Sequence, residues 1–125
     1  MEFRESRPIY AQIADRIGED ILKGVWAERG RIPSVRELAV SLEVNPNTVM
    51  RAYTTLQDRE IIYNQRGRGY FVAPGAVERI RGWKRERFIS RELPAVFDAM
   101  ALLDMSLDDL ARLYAEHTQR EETDS

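Results

Sequence analysis

The sequence predicts a mainly α-helical chain in which one small β-hairpin separates two groups of helices. Three observations carry this expectation. Isoleucine recurs every four residues at Ile9, Ile13, Ile17 and Ile21, the repeat of a single helix face. Two helix starts, Ser34-Val35-Arg36-Glu37 and Asn45-Pro46, lie close together with only a tight turn between their apolar stripes. Two runs of β-branched and aromatic residues flank Arg66-Gly67-Arg68-Gly69, the pattern of a glycine-containing hairpin.

The first helix spans roughly 8–24. Pro8 suits its first position, Ser6 stands just before the cap region, and Tyr10, Ala14 and Leu22 flank the isoleucine stripe. Gly24 and Gly30 bracket a loop in which Trp26 reads as a core plug. After Pro33, Ser34 and Glu37 form a capping box, serine oxygen to Glu37 amide and glutamate back to the serine amide. It opens a short helix with Val35, Leu38, Ala39 and Leu42 inward, and Glu43-Val44 makes the turn.

Asn45 then caps a helix over 46–59, with Pro46 at its first position. Its buried face is Val49, Ala52, Tyr53 and Leu56, spaced i, i+3, i+4, i+7. The hairpin strands are Ile61-Ile62-Tyr63 and Tyr70-Phe71-Val72, and Pro74-Gly75 closes a first domain, 1–75.

Beyond it the spacing predicts three helices. The first, over 76–91, carries Val77, Ile80, Trp83 and Phe88; the second opens at Leu93-Pro94 with Val96, Phe97, Met100 and Leu103. Ser106, with Asp109 three residues on, caps the third, which carries Leu107, Leu110, Ala111 and Tyr114. Residues 76–117 form this helical segment, and the polar residues 118–125 predict a flexible tail.

Composition narrows the function. A chain of 125 residues without cysteine has no disulfide framework, thiol nucleophile or Cys-ligated metal, and His117 alone makes no His-rich metal site. The sequence offers no nucleophile–base pair or phosphate loop, so no enzyme, catalytic residue, metal or cofactor is expected. MEFRESRPIY lacks the apolar region of a signal peptide, and no apolar run reaches membrane-spanning length. A cytoplasmic protein with no membrane partner is expected.

Three helices followed by a hairpin, with a tight turn between the second and third, is the order of a winged helix-turn-helix. At 100° per residue the outward face of the 46–59 helix is Asn47, Arg51, Thr54 and Asp58, flanked by Thr48 and Thr55. Asparagine and arginine suit bidentate reading of adenine and guanine edges, and threonine suits phosphate or a thymine methyl. Arg36, in the first turn of the preceding helix, adds a cation where free amides favour phosphate. Arg66 and Arg68 stand on a narrow tip whose Gly67 and Gly69 allow close approach, which suits a minor groove.

The net charge of −2 argues at first sight against DNA, yet it is unevenly spread. Residues 1–75 hold eleven basic and ten acidic side chains, net +1, and residues 76–125 hold eight and eleven, net −3. Within 29–72 seven basic residues face four acidic ones, net +3. The basic stretch Arg79, Arg81, Lys84, Arg85, Arg87 and Arg91 is interrupted by Glu78 and Glu86 and reads as a solvated helix face. The alternative to a DNA reader is a winged-helix protein-interaction module. Such a module would expose apolar anchors on the 46–59 helix, where only Met50 lies near the outward face.

PIYAQIADRI, RIPSVRELAVSLEVNPNTVMRAYTTLQDREII and GRGYFV resemble the GntR family of bacterial transcription regulators, and its short-tailed YtrA-like subfamily in particular. The resemblance covers residues 5–74, and the C-terminal segment agrees in length and in its SLDDL helix start. It implies a homodimeric repressor on a near-palindromic operator, in a subfamily that often controls transporter operons. By matched position it implies DNA contacts from Arg36, Asn45, Asn47, Thr48, Arg51 and the wing residues Arg66, Gly67, Arg68 and Gly69. Many members carry Arg where this chain has Pro46 and Met50, so the base-level code is not carried over.

Larger relatives bind a metabolite or metal through the C-terminal domain. About fifty residues make too little wall for a self-contained pocket, and the sequence names no small-molecule effector. The apolar residues Val77, Ile80, Trp83, Phe88, Val96, Phe97, Met100, Leu110 and Tyr114 exceed what so short a segment covers alone. Pairing with a second copy would bury them and set two recognition helices about 34 Å apart on DNA.

Overall fold

The computed structural model describes residues 7–124. Its elements are α1 (Ile9–Leu22), α2 (Val35–Leu42), α3 (Pro46–Asp58), β1 (Ile62–Gln65), β2 (Gly69–Val72), α4 (Ala76–Arg87), a π-helical turn (Phe88–Glu92), α5 (Leu93–Leu102) and α6 (Leu107–Asp124). The expected class is found: mainly helical, with one antiparallel hairpin. The chain divides into two compact units, one running to Lys84 and one from Arg85.

The periodicities close over one core in the first unit. Ile13, Ile17 and Ile21 meet Leu38 and Ala39 from α2, and Val49, Ala52, Tyr53 and Leu56 from α3. Ile9, first in the stripe, is exposed because it lies at the very start of α1. Tyr53 is wholly buried and satisfies its hydroxyl by donating to the Pro33 carbonyl at 2.6 Å. Its desolvation pushes the phenol above its ordinary range. Trp26 packs partly buried against the same core.

The hairpin pairs Ile62 with Val72 through to Gln65 with Gly69. The Arg68 amide donates to the Gln65 carbonyl at 2.8 Å, and Gly67 and Gly69 take positive φ values of 79° and 115°, a region that favours glycine. The loop before α2 adds a third edge that the turn residues conceal. The Ile32 amide donates to the Tyr70 carbonyl at 3.0 Å, and the Val72 amide donates to the Gly30 carbonyl at 2.9 Å.

The first unit does not end at Pro74-Gly75. Ala76 and Ile80 are fully buried in its core, with Val77 and Trp83 packed against them. Ile80, expected in a pairing face, therefore serves the N-terminal core instead, and Val77 and Trp83 pack partly buried against that core. α4 is tied down by Arg79, which donates to the carbonyls of Glu60 and Pro74 at 2.9 Å each.

In the second unit the helix expected to stop near 91 continues through a π-helical turn. The Leu93 amide reaches back to the Phe88 carbonyl. The cause is Pro94, whose ring lacks an N–H and crowds the carbonyl four residues before it. Ser106 and Asp109 cap α6 as predicted: the Asp109 amide donates to Ser106 Oγ at 3.1 Å and the Ser106 amide to Asp109 Oδ2 at 2.9 Å. The tail expected over 118–125 is instead helical to Asp124, and Ser125 lies outside the described residues. His117 and Glu121 approach to 3.4 Å across one turn, and Thr118 and Thr123 hydroxyls donate to carbonyls four residues back. The helix persists there with every described residue from 118 onward exposed. Among the described residues from Arg85 onward none is buried.

Candidate nucleic-acid interface

The surface is assembled from two helix starts and a hairpin tip. At the first, the Glu37 amide donates to Ser34 Oγ at 3.1 Å and the Ser34 amide to Glu37 Oε1 at 3.3 Å, completing the capping box. The bonds from Ser34 hold the Glu37 carboxyl below its ordinary value. Arg36, next to it in the first turn, is exposed.

α2 ends at Glu43, in the left-handed conformation with φ 56°, and the Val44 amide closes the turn onto the Ala39 carbonyl at 3.0 Å. Asn45 then accepts from the Asn47 amide at 2.8 Å, with Pro46 in the first helical position. Asn45 Oδ1 is thereby engaged as a cap. Arg36 and Pro46 line one shallow notch, which brings the starts of α2 and α3 to a common surface.

Along α3, Asn47, Arg51 and Thr54 are exposed and Thr48 is half-buried. Behind them Val49, Ala52 and Tyr53 have no exposure, so the opposite face is fixed by the core. Tyr70 ties the wing to this helix. Its ring meets Tyr53 edge-on with centroids 4.9 Å apart, and its hydroxyl stands 3.9 Å from Met50 Sδ. At the tip Arg66, Gly67 and Arg68 are exposed, while Gly69 is half-buried. An added Cβ at Gly69 would stand 3.2 Å from Arg31 Nε, so the glycine makes room for that side chain.

Sequence reasoning missed two side chains here. Arg31 packs beside the wing at Gly69 and its charge reaches Glu37. Tyr10 of α1 lies under the Arg51 guanidinium, 4.2 Å from the ring centroid. Both contacts join elements distant in sequence, so no local spacing signals them.

The cations fall into two groups. Among the described residues no ion pair engages Arg36, Arg51, Arg66 or Arg68. Three basic residues of α4 are occupied: Arg79 as above, Arg81 by Glu78, and Lys84 by Asp15. Unpaired arginines at helix starts and on a hairpin tip are suited to phosphates and base edges, whereas a paired arginine must first give up its partner. Among the described residues no group of three or more His, Asp or Glu could hold a metal ion. No helix there is long and apolar enough to cross a membrane.

Residues 9–72 match the family of bacterial regulatory proteins, gntR family. The chain is 45% identical over 73 residues to the HTH-type transcriptional repressor YtrA of Bacillus subtilis, covering 58% of this chain and 56% of YtrA. It thus spans about three fifths of the length of YtrA and of the related regulator YhcF of Bacillus subtilis, and less of several longer relatives. It is also similar to a solved chain assigned to the GntR family from Bacteroides thetaiotaomicron, with TM-score 0.76 and 49% identity, covering 90% of this chain and 98% of that one. The DNA-binding domain of AraR, solved in complex with operator ORR3, superimposes with TM-score 0.53 at 32% identity over 58% of this chain and 86% of its own. The matched residues 9–72 include the capping box, the tight turn, the Asn-Pro helix start and the basic wing. The chain belongs to the gntR family of bacterial regulatory proteins, and its N-terminal fold is a winged helix-turn-helix.

Proposed function

We propose that this chain is a sequence-specific transcriptional repressor that binds a near-palindromic operator as a homodimer and controls a transporter operon from the cytoplasm. The observation that carries the DNA-binding part is the set of unpaired arginines, Arg36, Arg51, Arg66 and Arg68, on elements locked by caps and core packing. In this reading Asn47 and Arg51 read base edges, and Thr48 and Thr54 contact phosphate or a thymine methyl. Asn45 and Arg36 hold phosphates at the two helix starts. Arg66 and Arg68, with Gly67 and Gly69, enter a minor groove. Repression is supported by the likeness to YtrA, which is named a repressor.

Homodimerisation is supported by the exposed apolar side chains from Arg85 onward. Phe88, Val96, Phe97 and Tyr114 are open to solvent, and Met100 and Leu110 are only half-covered. A second copy is the economical cover for such a face.

Selection of genomic fragments by the purified protein tests both parts. The expected result is one motif with two inverted half-sites, centred about one helical turn apart. Fragments sharing no motif would overturn sequence-specific binding. A stable monomer in sedimentation at micromolar concentration would overturn the dimer.

A further inference from the structure

We propose that Tyr10 is a positioning residue for DNA reading: its ring holds the Arg51 guanidinium in place on the outer face of α3 before DNA arrives. The inference rests on the reading of Arg51 as a DNA-contacting residue. Tyr10 sits in the first turn of α1, half-buried, with its ring packed against the domain core. The Arg51 guanidinium lies 4.2 Å from the ring centroid. Arg51 itself is exposed and precedes Ala52, which has no exposure at all. The backbone that carries Arg51 is thus rigid, and the ring contact restrains the rest of its side chain.

A ring contact restrains arginine and still leaves it able to read. It engages the guanidinium without supplying a carboxylate acceptor, so N–H donors remain for a base edge or a phosphate. A carboxylate partner would occupy those donors, and none pairs with Arg51 among the described residues. A free arginine would have to lose its rotamer freedom on binding, so a side chain ordered beforehand gains affinity. α1 thereby takes part in recognition without touching DNA.

The test uses the full chain and a duplex selected by the wild-type protein from a random library. Binding is measured at one salt concentration for Tyr10→Leu, Tyr10→Phe, Arg51→Ala and the Tyr10→Leu/Arg51→Ala pair. Tyr10→Leu should weaken binding by about two- to fivefold, the size of an exposed cation–π contact. Tyr10→Phe should bind as wild type, and Tyr10→Leu should add nothing once Arg51 is alanine. Repeating the selection with Tyr10→Leu should relax the same base position that Arg51→Ala relaxes.

An equal loss from Tyr10→Leu in both backgrounds would overturn the proposal, as would a Tyr10→Phe protein as weak as Tyr10→Leu. If Arg51→Ala binds as wild type, the reading of Arg51 itself falls and the proposal with it. A measurement that does not depend on the leucine variant folding is the proton spectrum of the free protein. The Arg51 side-chain protons should be shifted upfield by the ring in wild type and Tyr10→Phe, and random-coil positions would overturn the stacking.

Discussion

Phe97 and Tyr114 stand on α5 and α6 as regularly as Ile13 and Ile17 stand on α1, yet their fates are opposite. Ile13 and Ile17 are 1% and 2% exposed, whereas Phe97 is 52% and Tyr114 72% exposed. In the first unit every stripe meets an opposing layer from α2, α3, the hairpin or α4. In the second, the helices from Arg85 onward bury no described residue. A helix draws its stability mostly from such burial. The first unit therefore carries the stability needed to hold a reading surface, and the second carries an apolar face awaiting cover.

The largest expected effect breaks the first unit alone. Tyr53→Ala should cost about 3–5 kcal/mol, as for other large buried aromatics, and it also strips the Pro33 carbonyl of its donor. Both tryptophans, Trp26 and Trp83, lie in this unit, so their fluorescence in a urea titration reports its unfolding. Phe97→Ala should leave that transition almost unmoved and weaken pairing by at least about 2 kcal/mol if Phe97 is a central anchor of the dimer. Sedimentation equilibrium measures the second effect. A Phe97→Ala protein that unfolds as early as Tyr53→Ala would erase the distinction between the units.

The next effect separates free cations from occupied ones. Arg51→Ala should cost about 1–3 kcal/mol of operator affinity and relax one base position in binding assays. Arg66→Ala with Arg68→Ala should weaken all sequences alike and flatten the salt dependence by about one unit of slope for each phosphate left unneutralised. Arg79→Ala should leave DNA affinity unchanged and lower the stability of the first unit, because its donors are spent on the Glu60 and Pro74 carbonyls.

This contrast also marks what was legible in the sequence. The signals over 34–58 are local: a serine three residues before a glutamate, an asparagine before a proline, apolar residues at helical spacing. Local geometry fixes their outcome, and each cap forms as expected. The assignment of Ile80 fails because periodicity shows that a face is apolar without showing what covers it. The α6 tail was hidden because its residues are polar and exposed throughout and leave no apolar stripe for periodicity to register. Arg31 and Tyr10 stayed invisible because their partners, Gly69 and Arg51, come from other elements.

The smallest expected effect compares the one cap motif that both units share. Ser34 with Glu37 and Ser106 with Asp109 make the same reciprocal pair of bonds. Ser34→Ala and Ser106→Ala should each cost about 1 kcal/mol at the helix concerned. The first loss should appear in tryptophan-reported unfolding, because α2 belongs to the cooperative core. The second should appear as lost helical signal in circular dichroism, because no described residue of α6 is buried. In each pair the bonds from serine hold the carboxyl below its ordinary value. A group with a lowered folded-state pKa stabilises the fold above its unfolded value, and that contribution is lost as the pH falls through the folded one. Acid titration should therefore fray α6 in gradual, local fashion while α2 persists until the first unit unfolds as a whole. The fraying is read at concentrations too low for pairing, because a partner copy covering Leu110 and Tyr114 would give α6 a core; simultaneous loss of both helices there would erase the distinction between the units.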